Sequence, residues 1–178
     1  MLGRRGGEFM KKIVLLVLLS ICLVKISGAL DITVEKEKLV SDSTNFTFGL
    51  GWAGNEFLGG VTRDGLGHAK TAFGLNTWLG FSYTWIYGAP TNQEILNAVD
   101  EVVAENGGAE NLRDYDLKML TKKKLNVGSY NYFRLGTGYL ILPIVVQYGW
   151  MWPVGDVGRF QVGLGLPLLL NVGINFDF

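Results

Sequence analysis

The last nineteen residues, 160–178, read FQVGLGLPLLLNVGINFDF. Every even position in this stretch is apolar, and the odd positions are mostly Gly, Asn, Gln and Asp. Strict alternation is the period of a β-strand. A soluble sheet normally carries charged residues on its wet face, whereas the second face here is small and almost uncharged. The pattern therefore favours a membrane barrel, with apolar side chains toward lipid and small polar ones toward the lumen.

The same stretch is too long for a single membrane crossing of about 10 residues, so it predicts a hairpin. Pro167 fits a turn better than the middle of a sheet, which places the turn at 167–169. A three-residue turn pairs positions that sum to 336 and sets Arg159 opposite Asp177 in the lumen. An unpaired charge is costly in a narrow interior, so the two are expected to neutralise each other. The alternative is that both lie at a wet strand end.

The N-terminus has the anatomy of a secretory signal peptide over residues 1–29. Lys11 and Lys12 precede an apolar run at 13–24, and the small residues 27–29 provide a cleavage site. Residues 1–9 are interpreted as upstream of the true start at Met10. The alternatives are retention of the segment as an anchor and lipidation of Cys22. Cys22 is the single cysteine, so the chain from residue 30 onward has no thiol for a disulfide, zinc site or nucleophile.

Alternation recurs along residues 30–178 and predicts an all-β fold, a small antiparallel up-and-down transmembrane barrel of eight strands. Six strands are evident, at 44–53, 73–87, 126–143 and 144–154 and in the C-terminal hairpin. Two more are expected within 30–43, 56–72 or 111–124, or by division of a long run. Residues 30–43 are interpreted as a lead-in that could hold a short strand. Residues 55–69 are interpreted as a turn or irregular hairpin, because glycines interrupt them.

One long connection, 88–124, interrupts the strand pattern with helical spacing. Thr91 and Glu94 form a capping-box pattern, and apolar residues share one face until Asn106 and two glycines end the helix. Three consecutive lysines, 122–124, follow. This charge belongs outside the lipid, so the segment is predicted to be an extracellular loop. Binding a host or envelope partner and merely tethering two strands are both compatible with it.

A resemblance adds to this interpretation. Phe178 is the final residue, and apolar residues precede it at steps of two: Leu170, Val172, Ile174 and Phe176. This spacing resembles the C-terminal strand signal of bacterial outer-membrane β-barrels, and the general character of 30–178 is similar to eight-stranded barrels of the OmpA, OmpX and OmpW type. The resemblance implies residence in outer-membrane lipid and assembly by the barrel-assembly machinery.

The predicted function follows from this fold. An eight-stranded barrel is filled by its own side chains, so a general porin is excluded. A structural or surface-interaction role is expected. The alternatives are a narrow channel for small apolar molecules and a soluble periplasmic barrel of the lipocalin kind. Arg134, Arg159 and Asp177 are the candidate lumen charges.

The sequence offers little for catalysis. His68 is the only histidine and no serine is near it along the chain, so it is interpreted as a surface or loop residue and no enzymatic activity is expected. No cofactor or metal motif occurs, and the charge of residues 30–178 does not suggest a nucleic-acid partner.

Overall fold

A computed structural model describes residues 31–52, 54–138, 144–166 and 170–178. Eight strands close into an antiparallel barrel in which each strand pairs with its neighbours in sequence, and the first pairs with the last. The strands are β1 (Ser43–Trp52), β2 (Glu56–Arg63), β3 (Ala69–Asn76), β4 (Phe81–Tyr87), β5 (Tyr130–Thr137), β6 (Ile144–Val154), β7 (Gly158–Leu166) and β8 (Leu170–Asp177). The predicted all-β up-and-down barrel of eight strands is confirmed.

The two strands that the sequence did not reveal come from places where glycine breaks the pattern. β2 occupies Glu56–Arg63, within the region interpreted as a turn. The long run at 73–87 divides into β3 and β4 around a turn at 77–80. The short strand considered within the lead-in at 30–43 is replaced by helix α1 (Ile32–Val40), which Asp31 caps by accepting from the Thr33 amide.

The strands place most large apolar side chains outside and the charged side chains inside. The interior also holds one buried apolar cluster: Val61, Ala69, Ala72, Ile86, Tyr130, Tyr132 and Met151. The burial of β4 alternates strictly, with Phe81, Tyr83 and Trp85 exposed and the residues between them buried. Six charged residues occur in the eight strands. Five of them are buried, and the sixth, Lys70, is the second residue of β3 and pairs with Asp42 just before β1. The outer wall is therefore apolar and, apart from Lys70, uncharged.

The connection between β4 and β5 holds two helices, one more than predicted. The predicted helix forms as α2 (Asn92–Glu105) with its capping box complete between Thr91 and Glu94. A short 3₁₀ turn (Ala109–Asn111) and a further helix, α3 (Asp114–Leu125), follow. α3 has no side-chain N-cap, which is one reason that the sequence did not reveal it.

Helices α1, α2 and α3 pack together over one end of the barrel, and we call them the helical cap. Their shared core contains residues from all three helices, from the 3₁₀ turn's flank and from the β2–β3 turn: Leu39, Leu66, Ile95, Val99, Val102, Leu112 and Leu117. A backbone hydrogen bond from Gly65 to the Leu39 carbonyl at 3.0 Å joins the cap to that turn. Among the described residues, no helix is long and apolar enough to cross a membrane.

The cap lies at the end of the barrel where β1 begins and β8 ends. Phe178 and Phe46 exchange backbone hydrogen bonds of 2.7 and 3.0 Å there. We call this the cap end. The opposite, or far, end carries the turn at 77–80 and the opposite ends of the other strands. The connections that join these strand ends in the sequence, at 53–55, 77–80, 138–143 and 167–169, contain no charged residue.

The C-terminal hairpin keeps the predicted faces but not the predicted register. Arg159 pairs with Asn175, and Leu164 pairs with Leu170, so paired positions sum to 334 rather than 336. The predicted turn at 167–169 lies outside the described residues, as does the predicted signal peptide. A shift of two residues preserves which side chains face inward, because side chains alternate with a period of two.

Candidate functional site

The far half of the barrel interior is built around Arg134, which is fully buried on β5. Its Nε donates to Glu56 Oε1 at 3.0 Å, and its Nη2 forms an ion pair with the other Glu56 oxygen. The same Nε also donates to Thr84 Oγ1 at 2.9 Å, and the remaining donors reach neutral acceptors at 3.0 to 3.2 Å: the Gly54 carbonyl, Gln147 Oε1 and Gln161 Oε1. All five N–H directions of a guanidinium are thus used, and the charge is matched by one carboxylate.

A tyrosine spans the interior beside this network. Four paired residues form one lateral row across β5, β6, β7 and β8: Tyr132, Gly149, Gly163 and Asn171. The Tyr132 ring lies over the two glycines and donates its hydroxyl hydrogen to Asn171 Oδ1 at 3.1 Å. A Cβ at Gly163 would clash with that hydroxyl, so glycine is required there. Arg134 also packs against the same ring, 5.2 Å from its centroid.

A second charged group lies closer to the cap. Arg159 holds Asp177 with two bonds, Nε to Oδ2 at 2.8 Å and Nη2 to Oδ1 at 2.9 Å. Arg159 and Asp177 are diagonal neighbours rather than opposite partners, because the register is shifted by two. Arg159 is only 1% exposed, so the wet-strand-end alternative does not describe it.

Asp177 is shared by a second guanidinium, that of Arg63 at the end of β2. Arg63 Nη2 pairs with Asp177, and its Nη1 donates to the Gly67 carbonyl at 2.6 Å. The remaining donor, Nε, is buried and has no hydrogen-bond partner among the described residues. Buried donors are seldom left in this state.

His68 was interpreted as a surface or loop residue, but it is buried in the turn between β2 and β3. Its Nδ1 lies 2.9 Å from Asp64 Oδ2, and its amide donates to Asp64 Oδ1 at the same distance. The Asp64 amide also donates to the His68 carbonyl at 3.1 Å. These bonds brace the turn, and they leave Nε2 as the ring nitrogen through which His68 could contact a ligand.

A cleft separates α3 from the mouth of the barrel. Its volume is 480 Å³, and its lining includes Arg63, His68, Lys122, Lys123 and Asp156. Lys122 Nζ donates to Asp156 Oδ1 at 2.8 Å, and this hydrogen bond lowers the pKa of the Asp156 carboxyl below its ordinary value. Lys123 has no ion-pair partner in the described part of the chain.

The residues predicted to form the assembly signal lie on β8 and just after it. Leu170, Val172 and Phe178 are exposed, and Ile174 and Phe176 are half-buried on the same outer face. Whether assembly machinery binds them stays a prediction. Arg134, Arg159 and Asp177 are all buried within the barrel.

Sequence reasoning missed Glu56 and Arg63, the partners of these charges. Both lie on β2, in which the adjacent Gly59 and Gly60 interrupt the alternating pattern and are typical of a turn. Their spacing of seven residues, with a register irregularity between Glu56 and Leu58, also defeats simple alternation. In the described part of the chain, no group of three or more His, Cys, Asp or Glu residues could hold a metal ion.

Searches of protein-family models, curated proteins and solved structures found nothing that matches this chain.

Proposed function

We propose that the chain is an integral outer-membrane β-barrel protein with a filled interior, whose role is structural and non-catalytic. The observation that carries the proposal is the inverted distribution of polarity. The outer wall of the strands is apolar with Lys70 at its edge, and the five other strand charges are buried inside. Hydrocarbon around the wall would make this arrangement favourable, since exposed apolar surface of this extent is unfavourable in water.

The interior favours a structural role over the two alternatives. A channel for apolar molecules needs an apolar passage, but Arg134 and Arg159 with their partners cross the lumen at two positions. A soluble lipocalin-like barrel would keep its apolar side chains inside, the reverse of the burial pattern of β4 and β8. The filled interior instead suits a rigid anchor for the helical cap.

A pair of substitutions tests the membrane environment directly. Leu135 is 45% exposed on the outer wall, and Val157 is 52% exposed in the turn between β6 and β7 at the cap end. Leu135→Arg should destabilise a lipid-embedded barrel, by up to about 2–4 kcal/mol at the bilayer midplane and by less toward either surface, whereas Val157→Arg should change stability by less than about 1 kcal/mol. Urea unfolding of protein folded into phosphatidylcholine vesicles measures both. Equal, near-zero effects would be the result for a soluble barrel.

Outer-membrane residence requires a cellular measurement. The protein should sediment with outer membrane and migrate faster on a gel before heating than after it. Recovery in the soluble periplasmic fraction would contradict the proposal. Replacing Phe178 with a charged residue should lower assembly while leaving export unchanged, if the terminal strand is an assembly signal.

The position of the helical cap also bears on how the barrel is oriented in the outer membrane. The segment predicted to be an extracellular loop shares its end of the barrel with both ends of the strand sequence. Residues 88–129 contain twelve Asp, Glu, Lys and Arg residues, whereas the far-end connections contain none. Carrying charges through hydrocarbon is costly, so a chain that enters from the periplasm would cross with its uncharged end leading. We therefore propose that the cap faces the periplasm, where it could bind an envelope partner.

Cysteine labelling tests this orientation, because the sole cysteine, Cys22, lies in the predicted signal peptide. Tyr115→Cys on α3, at a position 74% exposed, should resist an impermeant maleimide on intact cells and react after the outer membrane is permeabilised. Labelling of this variant on intact cells would reverse the orientation. Leu79→Cys marks the far end and should not gain reactivity on permeabilisation.

A further inference from the structure

The cleft beneath α3 is unusual in its charge. Its lining contains three permanently basic side chains, those of Arg63, Lys122 and Lys123, against the single carboxylate of Asp156. The lining of the cleft therefore carries a net charge of +2. An enclosed surface of one sign concentrates ligands of the opposite sign.

The guanidiniums at and below the floor of the cleft are not matched one to one by carboxylate partners. Two guanidiniums, Arg63 and Arg159, share the one carboxylate of Asp177. The other nearby carboxylate, Asp64, has both of its oxygens engaged by His68, and it forms no ion pair with Arg63 in the described part of the chain. A buried charge without a full partner is costly, so the arrangement has room for a second anion.

An unused donor lies at the same place. Arg63 Nε is buried and unpartnered although the other two nitrogens of its guanidinium are engaged. Lys123, on the α3 wall, has no ion-pair partner among the described residues. A planar guanidinium with flanking ammonium groups is the donor set that binds phosphate in proteins.

We propose that this cleft is a binding site for a phosphate group, with Arg63 on its floor and Lys122 and Lys123 on its wall. Lys122 would exchange its exposed Asp156 partner for the ligand, because the Asp156 side chain is 89% exposed and can be rehydrated at little cost. His68 Nε2 offers a further hydrogen bond. The phosphate could belong to a soluble phosphorylated compound or to the headgroup of an anionic lipid at the membrane surface. Binding of a soluble phosphate needs only the cleft, whereas the lipid-headgroup case rests on the membrane residence proposed above.

The test uses the full-length mature protein folded into phosphatidylcholine vesicles in a phosphate-free buffer. Sodium phosphate is titrated against sodium chloride of equal ionic strength, and the urea midpoint is followed. A ligand that binds the folded state raises the midpoint. We expect phosphate to raise it above the chloride control. Lys122→Gln/Lys123→Gln, which alters exposed side chains, should weaken the response about tenfold, as expected for the loss of charge-assisted hydrogen bonds.

Two further variants sharpen the result. Arg63→Gln should abolish the phosphate response. Lys36→Gln removes a lysine of α1 that pairs with Asp100 and does not line the cleft, so it should respond as the wild type does. If Arg63→Gln does not fold, the lysine double variant alone decides, since its side chains do not support the interior. An unchanged response in the double variant would overturn the proposal.

Vesicles that contain about one-fifth phosphatidylglycerol distinguish the two sources of phosphate, because their anionic surface attracts basic residues. If the ligand is a lipid headgroup, the anionic lipid should raise the urea midpoint of the wild type more than that of Lys122→Gln/Lys123→Gln. Added sodium phosphate should then cause no further rise, because the headgroup already fills the site. If the ligand is soluble, the phosphate effect persists and the lipid makes no difference between the variants. Absence of a chloride-corrected effect in both arms would refute the site.

Discussion

Replacing Glu56 with Gln tests how much the buried ion pair between Glu56 and Arg134 contributes to the stability of the barrel. The change preserves the shape of the side chain and removes only the negative charge opposite Arg134. Both side chains are fully buried, so no water can compensate the guanidinium. Loss of one partner from such a pair costs about 3–5 kcal/mol.

The contacts of Arg134 narrow the expected loss of stability for Glu56→Gln. Arg134 keeps four neutral acceptors, from Thr84, Gly54, Gln147 and Gln161, and the new amide oxygen can replace one carboxylate oxygen. Because the hydrogen bonds survive and only the charge compensation is lost, we expect a cost near the lower limit, about 3 kcal/mol. Arg134→Met combined with Glu56→Gln removes both charges and should be less destabilising than Glu56→Gln alone.

The assay is urea unfolding of vesicle-embedded protein, monitored by the fluorescence of its five tryptophans. Glu110→Gln on the cap is the matched control, since an exposed glutamate should contribute no more than about 0.5 kcal/mol. A cost below about 1 kcal/mol for Glu56→Gln, or additivity of the double-mutant cycle within about 0.3 kcal/mol, would refute the reasoning.

Three other predictions concern the second interior ion pair and the capping box of α2. Asp177→Asn should destabilise the barrel by about 3–5 kcal/mol because it leaves Arg159 without its bidentate partner, and the same urea assay with Arg159→Met as the second member of a cycle measures the coupling. Thr91→Ala should destabilise the helical cap by about 1 kcal/mol, seen as faster amide exchange in α2 while the strands stay protected. Hydrogen bonds from Thr91 lower the pKa of Glu94, so the capping contribution is present above the ordinary glutamate pKa and is lost as the pH falls through the lowered value. Amide exchange in α2 that is unaffected by acidification to that range would contradict this linkage.

Local patterns in the sequence were enough to predict most of the elements. Alternation located six strands because a strand with one apolar face must repeat every two residues. The Thr91–Glu94 pair located α2 because a capping box is complete within four residues. The same locality explains the failures. β2 contains two adjacent glycines, and α3 begins without a capping side chain, so neither carries a strong local signal.

The candidate site was predictable only in part. Arg134, Arg159 and Asp177 could be assigned to the interior, since their positions on the polar face fix the side on which they lie. Their partners could not be assigned, because Glu56 is 78 residues from Arg134 and Arg63 is 114 residues from Asp177. Such contacts form only when the barrel closes and fixes the relative height of every strand.

In the strands that alternate regularly, the sequence by itself determined which side chains face outward and which face inward, because that property depends on parity along the strand. The irregular strand β2 is the exception. Parity is insensitive to a shift of two residues, and so the apolar pattern could not distinguish a pairing sum of 336 from one of 334. Closure of eight strands with a consistent stagger selected the latter and made Arg159 and Asp177 diagonal rather than opposite. The tertiary structure alone also decided that one carboxylate serves two guanidiniums and that the helical cap lies at the end where β1 begins and β8 ends, because an even number of antiparallel strands returns the chain to its starting end.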